Sequence, residues 1–438
     1  MNVYERTQLR LKTIFDLFDN ICVSFSGGKD SGVLLNLCID YIRRHGLRRR
    51  IGVFHMDYEI QYRDTIDYVN RTLSANADIL DVYRVCVPFK VQTCTSMFQQ
   101  YWRPWEEAKR ELWVREMPER CFVRRDFPFF TDGMWDYEFQ NRFAEWLHAR
   151  NGATRTCCLI GIRTQESFNR WRTIYSDRNH HRFAGKRWIR RWTGGDICNA
   201  YPLYDWLTTD IWTANGRFGW PYNRLYDLFY RAGVPLDNQR VASPFISPAL
   251  SSLHLYKAID PDTWGRMVGR VNGADFAALY GRTAAVGWQS VHLPKGMTWE
   301  RYMHFLLSTL PERTRRNYLE KLSVSIRFWR EKGGCLSEET ISKLQRAGIR
   351  IEVGDRSAYR TDKRPVRMEY LDDIDLPEFS RLPTFKRICI CILKNDHACK
   401  YMGFSPNKSE TLRRKKIMEK YESLLRTSDR RRVPEPGL

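Results

Sequence analysis

The chain reads as an α/β protein: a parallel sheet with covering helices, followed by a mainly helical C-terminal domain. Two observations predict this. Across the first ninety residues, apolar runs of strand length alternate with segments whose apolar residues recur at helical spacing. Beyond residue 250 helical spacing takes over. Strand-helix-strand alternation requires crossover connections, and crossovers make parallel neighbours.

The elements follow in order. Tyr4, Leu9, Leu11, Ile14, Phe15 and Phe18 mark a helix over residues 1–19, and Ile21–Phe25 is a short buried strand. Ser26-Gly27-Gly28 is a turn, and from Ser31 the residues Val33, Leu34, Leu37 and Cys38 fall at helical spacing. Strand Ile51–Asp57, helix Tyr62–Leu73 and strand Ile79–Val87 complete a β-α-β-α-β run. Residues 93–150 break the pattern, with Trp102, Trp105, Trp113, Trp135 and Trp146 among many Arg and Glu. This insertion reads as a helical lid cored by Trp, or else as rings interleaved with Arg for base stacking.

Thr156–Arg163 is a further strand. Thr208, Thr209 or Asp210 caps a helix through Trp212, with Pro202 and Trp206 seating it against the sheet. Trp220–Tyr230 is a helix with an aromatic face, and Arg240–Phe245 a return loop toward the first domain. Helices follow at Leu253–Ile259, Trp264–Val271, Trp299–Leu310, Arg313–Trp329 and Glu338–Ala347. In the fourth, Leu319, Leu322, Ile326 and Trp329 share a face; Ser337 caps the fifth. A charged, proline-bearing connection spans Gly354–Pro383. The expected domains are 1–245, 246–350 and a basic region 351–438.

Chemistry concentrates at Ser26-Gly27-Gly28-Lys29-Asp30-Ser31, between a strand ending at Ser24-Phe25 and a helix. Side-chain-free backbone lets N–H groups converge on one anion, with the positive end of the helix dipole behind them. Ser26 and Ser31 add hydroxyls and Lys29 a point charge. The string is not a Walker A loop, since Gly-x4-Gly-Lys-Ser/Thr is absent. Asp57 and Glu59 follow the second strand, where they can accept ribose hydroxyls or hold Mg²⁺, or form a plain acidic loop. At Gly161-Ile162-Arg163-Thr164-Gln165-Glu166-Ser167-Phe168-Asn169-Arg170, Gly161 allows close backbone approach. Arg163 and Arg170 there converge on an anion, unless Arg163 pairs with Glu166.

Cys389, Cys391, His397 and Cys399 invite a zinc reading, but the usual Cys-x2-4-Cys spacing is missing, and buried strand cysteines are the expectation. No metal site is assigned. The twelve cysteines are scattered, without the pattern of a disulfide framework. The net charge of +21 favours DNA or RNA as a partner; a soluble basic surface or an acidic protein partner is the alternative. Lys408–Arg432, with ten Lys or Arg against four acids, reads as a basic helix and tail that either contacts nucleic acid or is solvated. No apolar run approaches a membrane span and no signal-peptide core opens the chain, so the expected place is the cytoplasm, without membrane contact.

The Ser26–Ser31 string resembles the PP-loop of the ATP pyrophosphatase superfamily. With Asp57, the Gly161–Arg170 string, Pro202-Leu203-Tyr204-Asp205-Trp206 and Asp210-Ile211-Trp212, residues 15–215 resemble the phosphoadenosine phosphosulfate (PAPS) reductase family. The whole chain resembles its longer IbrA-type subgroup. The resemblance implies the adenine nucleotide alpha hydrolase-like fold and an adenine nucleotide, ATP or PAPS, with Mg²⁺. It implies nucleotide contacts from Ser24, Ser26, Gly27, Gly28, Lys29, Asp30, Ser31, Asp57, Glu59, Gly161, Arg163 and Ser167, and catalytic roles for Lys29, Asp30, Arg163 and Arg170. The C-terminal Cys-Gly-Leu-His type motif of true reductases is absent, as are the paired cysteines of the iron–sulfur adenylyl-sulfate reductases. The expected activity is therefore AMP-forming ATP pyrophosphatase chemistry, adenylating a substrate on or for nucleic acid. PAPS or adenylyl-sulfate reduction, sulfo-transfer, and a nucleotide-binding or DNA-binding partner protein without turnover are the alternatives.

Overall fold

The computed structural model describes residues 1–175, 182–191, 195–236, 239–241, 243–280, 291–355 and 363–404; the basic stretch Lys408–Arg432 lies outside them. Two compact units divide after Arg282.

The first unit runs α1 (Val3–Leu17), β1 (Asn20–Ser24), α2 (Lys29–Arg44), β2 (Ile51–Met56), α3 (Arg63–Ser74) and β3 (Leu80–Val85). After a ribbon of β4 (Val91–Gln92) and β5 (Tyr101–Trp102) come α4 (Asp136–Arg150), β6 (Thr156–Leu159) and α5 (Phe168–Tyr175). Next are β7 (Arg182–Phe183), β8 (Lys186–Arg191), β9 (Ile197–Ala200), α6 (Thr208–Phe218) and α7 (Leu225–Arg231). The unit closes with α8 (Tyr256–Ile259), α9 (Pro261–Arg270) and α10 (Ala274–Tyr280). The first β-α-β-α-β run thus forms as its periodicity predicts.

The main sheet has the order β3-β2-β1-β6-β9-β8-β7. Its first five strands are parallel, and β8 and β7 add an antiparallel edge. Ile51 and Val53 of β2 join the core beneath α1, α2, α3 and α6. The alternate residue Phe54 stacks on Phe143 of α4 at 4.1 Å, so α4 covers the opposite face. Strand order reverses beside β1: the chain leaves β1 toward β2 on one side and returns through β6 on the other. Open α/β sheets place ligands at the carboxyl ends of such strands. The reversal brings the Ser26–Ser31 turn and the Gly161–Arg170 segment to one place.

The Trp-rich insertion is not a helical lid. Apart from α4 it consists of the short ribbon, turns and 3-10 segments at Glu107–Leu112 and Arg124–Asp126. Its rings are spent on packing: Trp102, Trp105 and Trp113 are buried, and Trp105 meets Trp113 edge-on at 5.2 Å. Residues 246–280 belong to the first unit, so it does not end at 245.

The second unit contains α11 (Trp299–Ser308), α12 (Glu312–Glu331), β10 (Gly334–Leu336), α13 (Glu338–Arg346), β11 (Ile351–Val353), β12 (Arg364–Met368) and α14 (Phe385–Leu393). It is mainly helical, with a small antiparallel sheet ordered β10-β12-β11. That pairing crosses residue 350, so no boundary falls there. Ser337 caps α13, its hydroxyl accepting the Thr340 amide at 3.3 Å. The buried face of α12 is Tyr318, Leu322, Ser325 and Trp329, while Leu319 is exposed, one position away from the expected stripe. The cysteine run is helical, not extended: α14 buries Ile388, Cys389, Cys391 and Ile392. A short all-apolar run carries no period of its own, and these positions match both templates. No cluster of three or more His, Cys, Asp or Glu arranged for a metal ion occurs among the described residues. None of their helices is long and apolar enough to cross a membrane.

Candidate active site

The loop after β1 is shaped by two glycines. Gly27 has φ +78°, and a Cβ there would stand 2.9 Å from the Val69 side chain and 3.0 Å from that of Thr65. Gly161, after β6, lies so close to the start of α2 that a Cβ would meet Asp30 C and O at 3.1 Å and Ser31 N at 3.2 Å. The close approach expected at Gly161 is thus to the loop's own backbone.

Around this turn the amides already hold hydroxyls. Ser26 N–H donates to Ser31 Oγ (3.2 Å), Gly28 N–H to Ser26 Oγ (3.3 Å) and Lys29 N–H to the Tyr226 hydroxyl (3.0 Å). Ser31 Oγ in turn donates to the Gly28 carbonyl (3.0 Å). Asn223, fully buried, donates to the Gly27 carbonyl (3.0 Å) and to Thr65 Oγ1 (2.9 Å), fixing the turn from below. Ser26 remains exposed, and Ser24 sits half-buried at the end of β1.

Five ionic side chains gather beside the loop: Lys29, Asp30, Arg163, Glu166 and Arg170. Lys29, 6% exposed, reaches Asp30 Oδ2 at 3.3 Å and the Gln239 carbonyl at 3.4 Å. Burial depresses its proton affinity, opposed by Asp30 and reinforced by Arg163. Arg163, also buried, pairs through Nε with Asp30 and donates through Nη1 to Gln165 Oε1 (3.1 Å) and Thr208 Oγ1 (3.3 Å). Gln165 Oε1 also accepts the Thr208 amide at 2.9 Å, so it serves both Arg163 and the start of α6. Leu207 stands at the cap position of that helix, its amide donating to Asp210 at 2.8 Å. Arg170 pairs with Glu166, which also lies 3.8 Å from Arg163. The two guanidinium groups do converge, and the anion between them is this protein carboxylate. Ser167 is exposed, its hydroxyl accepting the Arg170 amide at 3.3 Å in the first turn of α5.

Asp57 and Glu59 are placed differently from the expectation. Both are fully buried. Asp57 pairs with Arg84 (2.9 Å) and with Arg115, and accepts the Glu59 amide at 3.0 Å. Glu59 accepts from Arg270 (3.0 and 3.2 Å), Trp105 N–H (2.8 Å) and Val114 N–H (3.2 Å). The Trp-rich insertion and α9 therefore cover the acidic strand end and consume its acceptors. No open position for ribose or Mg²⁺ is left on either carboxylate. Asp30 is paired as well, so the residues present do not fit a Mg²⁺ site.

His55 packs beneath this network and bonds the Phe25 carbonyl through Nδ1 at 2.8 Å. Burial pushes its pKa from 6.5 down to about 4, opposed by Asp57. Burial would raise the Asp57 carboxyl, but Arg115 and Arg84 more than offset it and hold Asp57 below the usual carboxylate range. The unfolded chain therefore takes up a proton at His55 below pH 6.5 that the folded one refuses. Stability is fully present above that pH and declines as pH falls toward 4, by roughly 3 kcal/mol at most. Asp57 has the same sign, its contribution being lost below pH 3.8. Denaturation midpoints measured from pH 7 to pH 4 should fall, and His55→Gln should flatten that slope; an equal slope in the variant excludes the assignment.

Tyr226, Asn223, Gln239 and Thr65 had no motif to announce them. The one signal was the Arg240–Phe245 segment turning back.

Comparison with known proteins bears on the whole chain. The family model of the phosphoadenosine phosphosulfate reductase domain matches residues 20–232, and that of a domain of unknown function, DUF3440, residues 233–413. The uncharacterized protein YbdN of Escherichia coli (strain K12) is 32% identical over 419 residues, covering 94% of this chain and 93% of its own. The chain belongs to the phosphoadenosine phosphosulfate reductase-like family. Solved structures similar to it include the phosphoadenylyl-sulfate reductase of Candida auris in a phosphate complex, at 16% identity and TM-score 0.29, covering 51% of this chain and 84% of that one. The FMN adenylyltransferase of Candida glabrata in complex with ATP has 16% identity and TM-score 0.30, with 51% and 57% covered. The U34-tRNA thiolase NcsA of Methanococcus maripaludis with its [4Fe-4S] cluster has 10% identity and TM-score 0.30, with 67% and 82% covered. In this PAPS reductase-like chain, the Ser26–Ser31 turn and the Gly161–Arg170 segment both fall inside the matched domain.

Proposed function

We propose that the protein binds ATP with its phosphates at the Ser26–Ser31 turn and directs an acceptor oxygen onto the α-phosphorus. The acceptor O–P bond forms, the α–β P–O bond breaks, and pyrophosphate leaves. A second nucleophile then displaces AMP from the adenylated acceptor. One observation carries the reading: Lys29, Arg163 and Arg170 gather at a helix N-terminus at the strand-order reversal, with two carboxylates, Asp30 and Glu166, among them.

Each group has a task. Lys29 and Arg170 stabilise charge on the departing pyrophosphate, and the Ser26 and Ser31 hydroxyls turn from the loop amides to phosphate oxygens. Asp30 and Arg163 position Lys29 and the first turn of α2. Gly27, Gly28 and Gly161 provide the close approach, with Ser24 and Ser167 at the rim. Asp57 and Glu59, paired with Arg84, Arg115 and Arg270, hold the Trp-rich insertion and α9 over the end of β2. The +21 charge supports an acceptor that is, or is attached to, nucleic acid.

The match to a reductase domain supports PAPS as the rival nucleotide. Incubation with α-labelled ATP, with and without DNA and RNA, should yield AMP, pyrophosphate or labelled polymer. Thiol oxidation dependent on PAPS, with no turnover of ATP, would overturn the adenylation reading.

A further inference from the structure

We infer that Arg240, contributed by the segment that follows the reductase-like domain, is an additional ligand for the nucleotide's phosphate chain. The inference rests on the proposed loop function and adds to it a residue outside the 20–232 match. The second family region thereby completes the site of the first.

The geometry brackets Arg240 on both sides. The Gln239 carbonyl before it accepts Lys29 Nζ at 3.4 Å, and the Gln239 side chain, 1% exposed, donates to the Val234 carbonyl at 2.9 Å. The Val241 side chain after it stands 4.0 Å from the place a Cβ would take on Gly28. Residues 239–241 are thus laid across the mouth of the turn. Arg240 itself is exposed and lines a cleft with Gln61, Tyr62, Thr65, Val241 and Tyr256. Thr65 belongs to both places, since its methyl packs against Gly27. The cleft and the loop are therefore contiguous.

Charge gives the occupant. Lys29 and Arg163 share Asp30, and Arg163 and Arg170 share Glu166. No carboxylate among the described residues lies within ion-pair distance of Arg240. Four cations then face two carboxylates, and the excess is positive. Arg240 adds its repulsion to Lys29 and to Arg170, although burial is the larger effect at both. Like charges held together in the free protein are relieved by an anion of two or more charges. A solvent-facing guanidinium offers a fork that matches phosphate oxygens, whereas buried Arg163 has its donors engaged.

Calorimetric titration of the full-length protein with ATP and with pyrophosphate tests this. Arg240→Ala should weaken both by roughly ten- to hundred-fold, with Arg240→Lys recovering part of the loss. The exposed position makes an unchanged melting temperature the control for folding. Unchanged ATP and pyrophosphate affinity in Arg240→Ala, while Lys29→Ala loses both, would overturn the inference and leave the loop reading standing. Equal ATP affinity in wild type and Lys29→Ala would instead remove the loop reading itself.

Discussion

Lys29→Ala is expected to cut ATP-dependent pyrophosphate release by at least about a hundred-fold, the scale for removing one donor from a preorganised charge-stabilising site. The ammonium is held at three points: Asp30 Oδ2 at 3.3 Å, the Gln239 carbonyl at 3.4 Å and the Tyr226 ring at 5.5 Å. Nothing else in the first turn of α2 carries a positive charge. Because burial already lowers its proton affinity, the neutral form is less costly here than in water, and a phosphate would raise it again. Lys29→Arg keeps the charge but cannot occupy the same enclosed volume, so it should recover only part of the rate. Rates are compared by a pyrophosphate assay on variants whose circular dichroism matches wild type. A Lys29→Ala protein that turns over at the wild-type rate would place the chemistry elsewhere.

Arg270→Ala is expected to destabilise the first unit by about 3–5 kcal/mol, the range for leaving one member of a buried ion pair unpaired. Glu59 is fully buried and receives two bonds from this guanidinium, at 3.0 and 3.2 Å. Its other donors, the Trp105 and Val114 amides, cannot neutralise the charge. A loss of that size corresponds to a melting temperature lower by roughly 10 °C. Combining it with Glu59→Gln removes the stranded charge and should restore part of the loss. Thermal unfolding of the two variants decides the matter; a shift under about 2 °C for Arg270→Ala would show that Glu59 finds another partner. The same measurement bears on domain limits, because Arg270 lies well past residue 245.

What was legible in the sequence was what neighbouring residues decide. Ile21–Phe25, Ile51–Asp57 and Ile79–Val87 stand out as strands because each apolar run is bounded and followed by helical spacing. Gly27 and Gly161 stand out because backbone that must bend or crowd has few alternatives. The misses arise from distance along the chain. Tyr226 and Gln239 reach Lys29 across 197 and 210 residues, and no periodicity encodes such a meeting. Asp57 and Glu59 look available until an insertion without periodicity covers them. The helix at Phe385–Leu393 reads as a strand because a run apolar on every side fits both templates. Leu319 is misplaced for a related reason: Tyr318, with its hydroxyl bonded to the Cys391 carbonyl at 3.2 Å, takes the inward position.

The strand order also governs how this chain is made. β1 is an interior strand, third of seven in the sheet, yet its partner on one side, β6, begins 136 residues later, where Thr156 sets beside Asn20. At synthesis rates of roughly 5–20 residues per second, that side of β1 stays without a neighbour for on the order of ten seconds. During that interval the nascent β1-β2-β3 piece presents a row of open amides and carbonyls that any extended segment could occupy. The ribosome-bound chain is therefore most exposed to mispairing while its tryptophan-rich insertion is still being translated.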